Sequence, residues 1–319
     1  MLIRTYKADD EAAAIKLWND SLPRDQIDRM NFYNRIICDV NFDPSGYLLA
    51  FVDGLPAGFL YCTRRQIPDE ISGLEQGKGW IVAMGVHPDF RRRGVGRALV
   101  GKAEEFLRGA GVERIDVGTY ATNYIVPGVD KDAYDCGVKF FEALGFENRG
   151  ECCAMSMSLH GYTYPEKYKQ KRKKLEAEGF SIAAYKDCDA LPLFAFMRED
   201  FPHWLPNVRA CTLSGKAPER MIIAKDKDGA VVGFAMRGMD GTEERFGPFG
   251  TKPGLQGLGL GSVIFNEMMQ SMASRRIFYT YFLWTNGRNL EIYATWGMKI
   301  FRTFCLMGKI IYSQSISKR

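Results

Sequence analysis

The segment with the clearest chemical content is Val86-His-Pro-Asp-Phe-Arg91-Arg92-Arg93-Gly94-Val95-Gly96-Arg97-Ala98-Leu99. An apolar run ends, basic residues and two glycines follow, and helical apolar spacing begins. Glycines let successive backbone N–H groups converge on an anion without interference from Cβ, and the start of a helix adds partial positive charge. These are the properties of a diphosphate cradle, and Arg91, Arg92, Arg93 and Arg97 could neutralise the phosphates. Two other phosphate loops are excluded. The dinucleotide pattern G-x-G-x-x-G finds Leu99 at its third glycine, and it turns at once from its strand, whereas Val86 and Gly94 stand well apart. No Walker lysine follows, which removes a nucleotide-hydrolase loop.

A similar segment recurs as Thr251-Lys-Pro-Gly-Leu-Gln256-Gly257-Leu258-Gly259-Leu260-Gly261-Ser262, and the elements that must position both turns recur with it. Leu2 to Tyr6 reads as a strand, followed by a helix capped by Asp9 or Asp10 with Ala14, Ile15, Trp18 and Leu22 on one face. Phe180 to Tyr185, then Asp187 to Asp189, then Leu191 to Phe201 repeat that order. Each half continues with a hairpin, turned at Asp53-Gly54 and at Asp228-Gly229, because Asp-Gly between apolar runs favours that turn. Behind the glycines, Val95, Ala98, Leu99, Ala103, Phe106 and Leu107 share one helical face, and Leu260, Val263, Ile264, Met268 and Met272 share another. The expected fold is α+β: two tandem domains, each a mixed, mainly antiparallel sheet flanked by helices. The expected boundaries are 1–160, a basic helix at 161–180, and 181–319.

A chain of 319 residues suits two domains of ordinary size, and 46% hydrophobic with 25% charged residues is a globular balance. Eight cysteines without C-x-x-C, and three histidines without ligand spacing, argue against a metal site. No apolar signal core or membrane-length run is present, so the expectation is a cytoplasmic protein without a membrane partner. The net charge of +5 includes the run from Lys167 to Lys174. A nucleic-acid patch there lacks the aromatic or motif signals of such modules, and a solvated helix ended by Gly179 is the favoured reading.

The first segment resembles the acetyl-CoA-binding motif of the GNAT superfamily, V-x-P-x-[YF]-[QR]-x-x-G-x-[GA], at every specified position: Val86, Pro88, Phe90, Arg91, Gly94 and Gly96. The second fills it with Pro253, Gln256, Gly259 and Gly261 and departs from it at Thr251 and Leu255. Phe140-Phe141-Glu-Ala-Leu-Gly145-Phe146 and Ile292-Tyr293-Ala-Thr-Trp-Gly297-Met298 resemble the segment that closes such domains. Tandem members include mycothiol-synthase-like acyltransferases, and Asn123 to Asp130 looks like an insertion seen in some of them.

The resemblance implies direct transfer of an acetyl group from acetyl-CoA to a primary amine of a small molecule or peptide. It also assigns the cofactor to the two glycine turns, Val95, Leu260 and Ser262 included, and to the strand residues Met84, Gly85 and Val86 and Phe249, Gly250 and Thr251. Asn286 matches a family CoA contact. Tyr293 stands where members with a tyrosine general acid carry it, whereas Phe141 has no proton to give. Catalysis is therefore expected in the C-terminal half, although the arginines favour the N-terminal turn. Left open are a structural CoA-binding half, a non-catalytic CoA-binding protein, Tyr293 as a core aromatic, Tyr124 or Tyr134 as the first half's phenol, and Glu243 or Glu244 as a base.

Overall fold

The computed structural model describes residues 1–69, 71–120 and 125–311. The chain divides into two compact units, Met1–Cys153 with Arg302–Arg319, and Ala154–Phe301.

In the first unit, β1 (Leu2–Thr5) leads to α1 (Glu11–Ser21). Asp10 fixes the start of α1: its carboxylate accepts from the Lys7 amide at 2.8 Å and from the Arg4 guanidinium at 2.6 and 2.7 Å. Next come α2 (Arg29–Phe32), which runs into a π-helical stretch at Tyr33–Ile37, then β2 (Tyr47–Val52) and β3 (Leu55–Arg64). Asp53 and Gly54 join them with φ of +51° and +79°, the left-handed pair that a two-residue hairpin needs. The unit continues with β4 (Lys78–Val86), α3 (Val95–Gly109), β5 (Arg114–Val117), β6 (Val129–Asp130), α4 (Asp135–Glu142) and the start of β7 (Glu147–Ser158).

The second unit holds the end of β7, then α5 (Glu166–Ala177), β8 (Ser181–Ala184), α6 (Ala190–Asp200), α7 (Leu205–Leu213), α8 (Ala217–Arg220), β9 (Met221–Lys225) and β10 (Val231–Arg237). It goes on with β11 (Phe246–Thr251), α9 (Leu260–Ser274), β12 (Tyr279–Thr285) and α10 (Gly287–Thr295), and β13 (Lys299–Ile310) begins there. Asp189 repeats the role of Asp10, accepting from the Lys186 amide at 2.9 Å and from Lys225 Nζ at 2.7 Å.

Strand order is β1-β2-β3-β4-β5-β13 in the first unit and β11-β10-β9-β8 in the second, antiparallel except where β4 runs parallel to β5. Each sheet carries helices on both faces. In the first unit α3 buries Val95, Leu99, Ala103 and Leu107 on one side, while Ala14, Leu17 and Trp18 of α1 cover the other. In the second, Leu260, Val263, Ile264, Met268 and Met272 of α9 are all buried, each contributing about 2 kcal/mol of burial free energy.

The division departs from the expected boundaries at both joints. Residues from Ala154 onward, α5 included, belong to the second unit, and the chain from Arg302 onward belongs to the first. Gly308, Lys309 and Ile310 of β13 pair with Asp116, Ile115 and Arg114 of β5, and Cys305, Met307 and Ile311 enter the first unit's core. Arg302, 7% exposed, forms a two-point ion pair with Asp25 at 2.6 and 2.8 Å and a third bond to Asp130 at 2.6 Å. Strand order along a sequence cannot reveal which sheet edge a last strand completes.

Candidate functional site

Strand β4 delivers the first glycine turn. Its residues Met84, Gly85 and Val86 pair with Leu60, Phe59 and Gly58 of β3. On the opposite edge, register with β5 ends at Ile81 opposite Val117, with one further bond from the Gly118 amide to the Ile81 carbonyl at 2.9 Å. From residue 82 to 86 that edge has no registered strand partner among the described residues, so the sheet opens into a notch walled by backbone.

After a single 3-10 turn at Pro88–Phe90, Arg92 and Gly94 take left-handed φ values of +63° and +83°, and α3 begins. Such a curl gathers successive amides toward one side, where the helix start reinforces them. A methyl group placed on Gly94 meets no atom within 4 Å, so the turn stands open. One placed on Gly96 would lie 3.1 Å from the Phe140 ring, so that glycine lets α4 pack against α3. The predicted arginines divide by role. Arg91 braces the site, donating from Nε to the Val86 carbonyl at 3.1 Å and from Nη2 to the Ser21 carbonyl at 3.2 Å. Arg92, Arg93 and Arg97 are exposed and form no ion pair among the described residues; Arg93 stacks 5.5 Å from the Phe90 ring centre. Val95 is buried core.

The second turn has the same backbone. Phe249, Gly250 and Thr251 of β11 pair with Ala235, Phe234 and Gly233, a turn follows at Pro253–Leu255, and Gly257 and Gly259 adopt φ of +92° and +87° before α9. Its surroundings differ. A methyl on Gly259 would lie 2.6 Å from Lys171 Nζ and 2.7 Å from its Cε, so the α5 lysine lies across this turn. The Phe201 ring presses against Gly250, with one ring carbon 3.0 Å from where a Cβ would sit. Lys252 pairs with Glu199 at 3.6 Å. Ser262 is buried and its hydroxyl donates to the Gly259 carbonyl at 2.7 Å, leaving only its amide for a ligand. Gln256, Gly257 and Leu258 are exposed, Gly261 packs toward Phe249 and Trp296, and Leu260 is core.

Tyr293 sits in α10 among five rings, those of Phe282, Trp296, Phe249, Phe265 and Phe246, at centroid distances of 4.6, 5.5, 6.2, 6.2 and 6.4 Å. Burial raises its pKa above the ordinary phenol value, and its hydroxyl makes no hydrogen bond among the described residues. Asn286 is exposed at the N-cap of α10 without capping it. Glu243 lies between Arg237 and Arg220: burial raises its pKa, but the two guanidiniums more than offset this and hold it below the usual carboxylate range, the wrong direction for a base. Glu244 contributes its carbonyl to Tyr281 and Thr280. The Tyr134 hydroxyl accepts from the Arg24 amide at 3.2 Å, and Phe141 is core. Asn123 and Tyr124 lie outside the described residues.

Sequence reasoning missed Lys171, although a signal was present. Tyr168, Lys171, Arg172 and Leu175 are spaced i, i+3, i+4, i+7, one face of a helix. Tyr168 and Leu175 are buried, and Arg172 pairs with Glu267 of α9, so the basic run turns that face inward rather than leaving all of it solvated.

Residues 6–146 match the model of the Acetyltransferase (GNAT) family. The chain is 29% identical over 144 residues to an acetyltransferase of Pectobacterium atrosepticum, covering 43% of this chain and 91% of that one. It superposes over 97% of its length, with TM-score 0.79 and 19% identity, on 38% of a chain described as a fungal multi-domain GH3 β-N-acetylglucosaminidase with a GCN5-related glucosamine N-acetyltransferase region. A tandem GNAT protein from the clavulanic acid biosynthesis pathway superposes with TM-score 0.65 and 14% identity, over 97% of this chain and 98% of that one. Residues 6–146 thus match the GNAT acetyltransferase family, and the chain as a whole has the tandem GNAT-like fold of these neighbours.

Proposed function

We propose that the protein transfers an acetyl group from acetyl-CoA to a primary amine of a small molecule or peptide, and that the first unit holds the cofactor. The observation that carries this is the open Gly94 turn, flanked by Arg92, Arg93 and Arg97 and placed directly after the notch in β4. Bound acetyl-CoA would supply an activated acyl thioester. The amides around Gly94 and the start of α3 would hold its diphosphate, with the three guanidiniums as counter-charge. Backbone N–H groups on the unpaired edge of β4 would face the acyl oxygen, where fixed donors favour developing negative charge. This reading runs opposite to the tilt expected from Tyr293, because Lys171 lies across the corresponding turn in the second unit. A second reading keeps a site there, favoured by the phenol of Tyr293, which no described residue bonds, beside Phe249.

The test measures free thiol released from acetyl-CoA with a panel of amines, beginning with glucosamine, which the fungal neighbour's description names, and including peptide N-termini. Expected is amine-dependent release that Gly94→Glu removes and Gly259→Glu retains. Release indifferent to amine, or lost equally in both variants, defeats the proposal.

A further inference from the structure

Among the described residues the first unit buries seven side-chain polar atoms without a hydrogen bond, and four of them cluster: the hydroxyls of Ser21, Tyr47 and Tyr61 and the indole N–H of Trp80. Tyr47, Tyr61 and Trp80 are fully buried on the sheet face covered by α1 and the segment 29–37, and Ser21, 2% exposed, ends α1 above it. Tyr47 and Tyr61 are cross-strand partners with ring centres 5.7 Å apart, and a Cβ on Gly85 would lie 3.2 Å from the Ser21 hydroxyl, which places that hydroxyl against the cofactor strand. Buried polar groups are ordinarily paired, so four orphans in one cluster require a cause.

Packing does not supply it. Gly58 opposite Val86 and Gly233 opposite Thr251 set the two sheets in common register, and in that register Tyr47 and Tyr61 correspond to Met221 and Met236, themselves cross-strand partners and buried. The same fold thus fills the same place with two thioethers that demand no hydrogen bond. The cover is also unusual, since α2 gives way to the π-helical stretch at Tyr33–Ile37, a geometry that is rare and concentrated at functional sites. Phe32 and Ile36 of this segment are fully buried, and the Phe32 ring lies 6.0 Å from that of Tyr47.

Resting on the reading that the first unit transfers an acetyl group, we propose that this face is its acceptor pocket, with segment 29–37 as cover. The acceptor is an amine whose carbon frame bears hydroxyl or ether oxygens. Indole N–H can only donate and phenols donate readily, so the complementary ligand presents oxygen acceptors. An alkylamine of equal size would leave those donors unpaired, which sites built for hydrogen bonding discriminate against strongly.

The experiment compares wild type with Tyr47→Phe, Tyr61→Phe and the double variant Tyr47→Met/Tyr61→Met, which copies the second unit. Melting temperature and KM for amine and for acetyl-CoA are measured, using an amino alcohol or amino sugar and an alkylamine of matched size. Expected is a melting temperature unchanged or raised, KM for the oxygenated amine raised about tenfold, KM for acetyl-CoA within twofold, and the preference over the alkylamine reduced. A fall in melting temperature with unchanged KM would show that the hydroxyls hold structural water and overturn the proposal. Wild-type transfer with unaltered preference in every variant would overturn it while leaving the acetyltransferase reading intact. No transfer by wild type to any amine would bring down both.

Discussion

Gly94 and Gly259 take φ of +83° and +87° one residue before helices of fifteen residues each, yet a side chain added at the first meets nothing within 4 Å and one added at the second meets Lys171. The glycines around them repeat as well. Gly85 and Gly250 admit Ser21 and Phe201 against the strand, and Gly96 and Gly261 admit the Phe140 and Phe249 rings against the helix. The glycine pattern is thus required by the fold wherever a ring or helix end presses on backbone, whether or not a ligand binds. What separates the turns is their surroundings: three guanidiniums that form no ion pair among the described residues at one, a lysine and a paired Lys252 at the other.

The sharpest way to break this contrast is Gly94→Glu. A glutamate adds Cβ at a left-handed position and a negative charge at the open turn, and acetyl-CoA affinity is expected to fall more than 100-fold, about 2.7 kcal/mol or more. Gly259→Glu is expected to leave the tight site within threefold, measured by titration calorimetry. Equal losses would mean that both turns hold cofactor. Next in size are the arginines: Arg92→Ala, Arg93→Ala and Arg97→Ala should each weaken binding roughly fivefold, about 1 kcal/mol, with the loss shrinking at high salt because exposed charges are screened. Lys252→Ala should do nothing comparable.

The repeat also gives a stability comparison. Asp10→Ala and Asp189→Ala each remove a carboxylate that accepts the amide three residues upstream, an expected cost of about 1 kcal/mol by denaturant titration. Both carboxyls are held below their ordinary pKa. For Asp10 the Arg4 bonds dominate; for Asp189 burial acts in the raising direction, but Lys225 and the Lys186 amide outweigh it. A depressed folded pKa means stabilisation that is complete above the unfolded value near 3.9 and disappears as pH falls through the folded value. The variants should therefore lose less stability than wild type on acidification below about pH 4. A steeper acid loss in either variant would contradict the assignment.

Much of this was readable in the residues. Both hairpins, both glycine turns and the α9 stripe follow from local spacing, which a sequence carries directly. The exchange of the last strand was not readable, because Arg302 finds Asp25 and Asp130 only through tertiary closure. The contrast between the surroundings of the two turns was not readable for a related reason. Tyr293 and Phe141 can be compared letter by letter, but Lys171 reaches Gly259 from 88 positions earlier in the chain. That the hydroxyls of Tyr47 and Tyr61 find no partner among the described residues carries no sequence signal, since alternation predicts burial and not whether a buried phenol is bonded.

The smallest expected effect bears most directly on which unit reacts. If the first unit performs transfer, Tyr293→Phe removes a hydroxyl that no described residue bonds and should change kcat and kcat/KM by less than twofold. If the second unit performs it, the same change removes the only phenol at the general-acid position and should lower kcat by tenfold or more while KM for acetyl-CoA holds. Combining it with Lys171→Ala separates the cases further. Removing the lysine side chain clears the second turn, and a second, weaker equivalent of acetyl-CoA binding is expected by calorimetry. If that equivalent appears and kcat in the Lys171→Ala background becomes sensitive to Tyr293→Phe, the second unit holds working chemistry behind a covered turn. If it appears and kcat stays insensitive, the turn is a binding fold alone, and the aromatic packing around Tyr293 is its structural core.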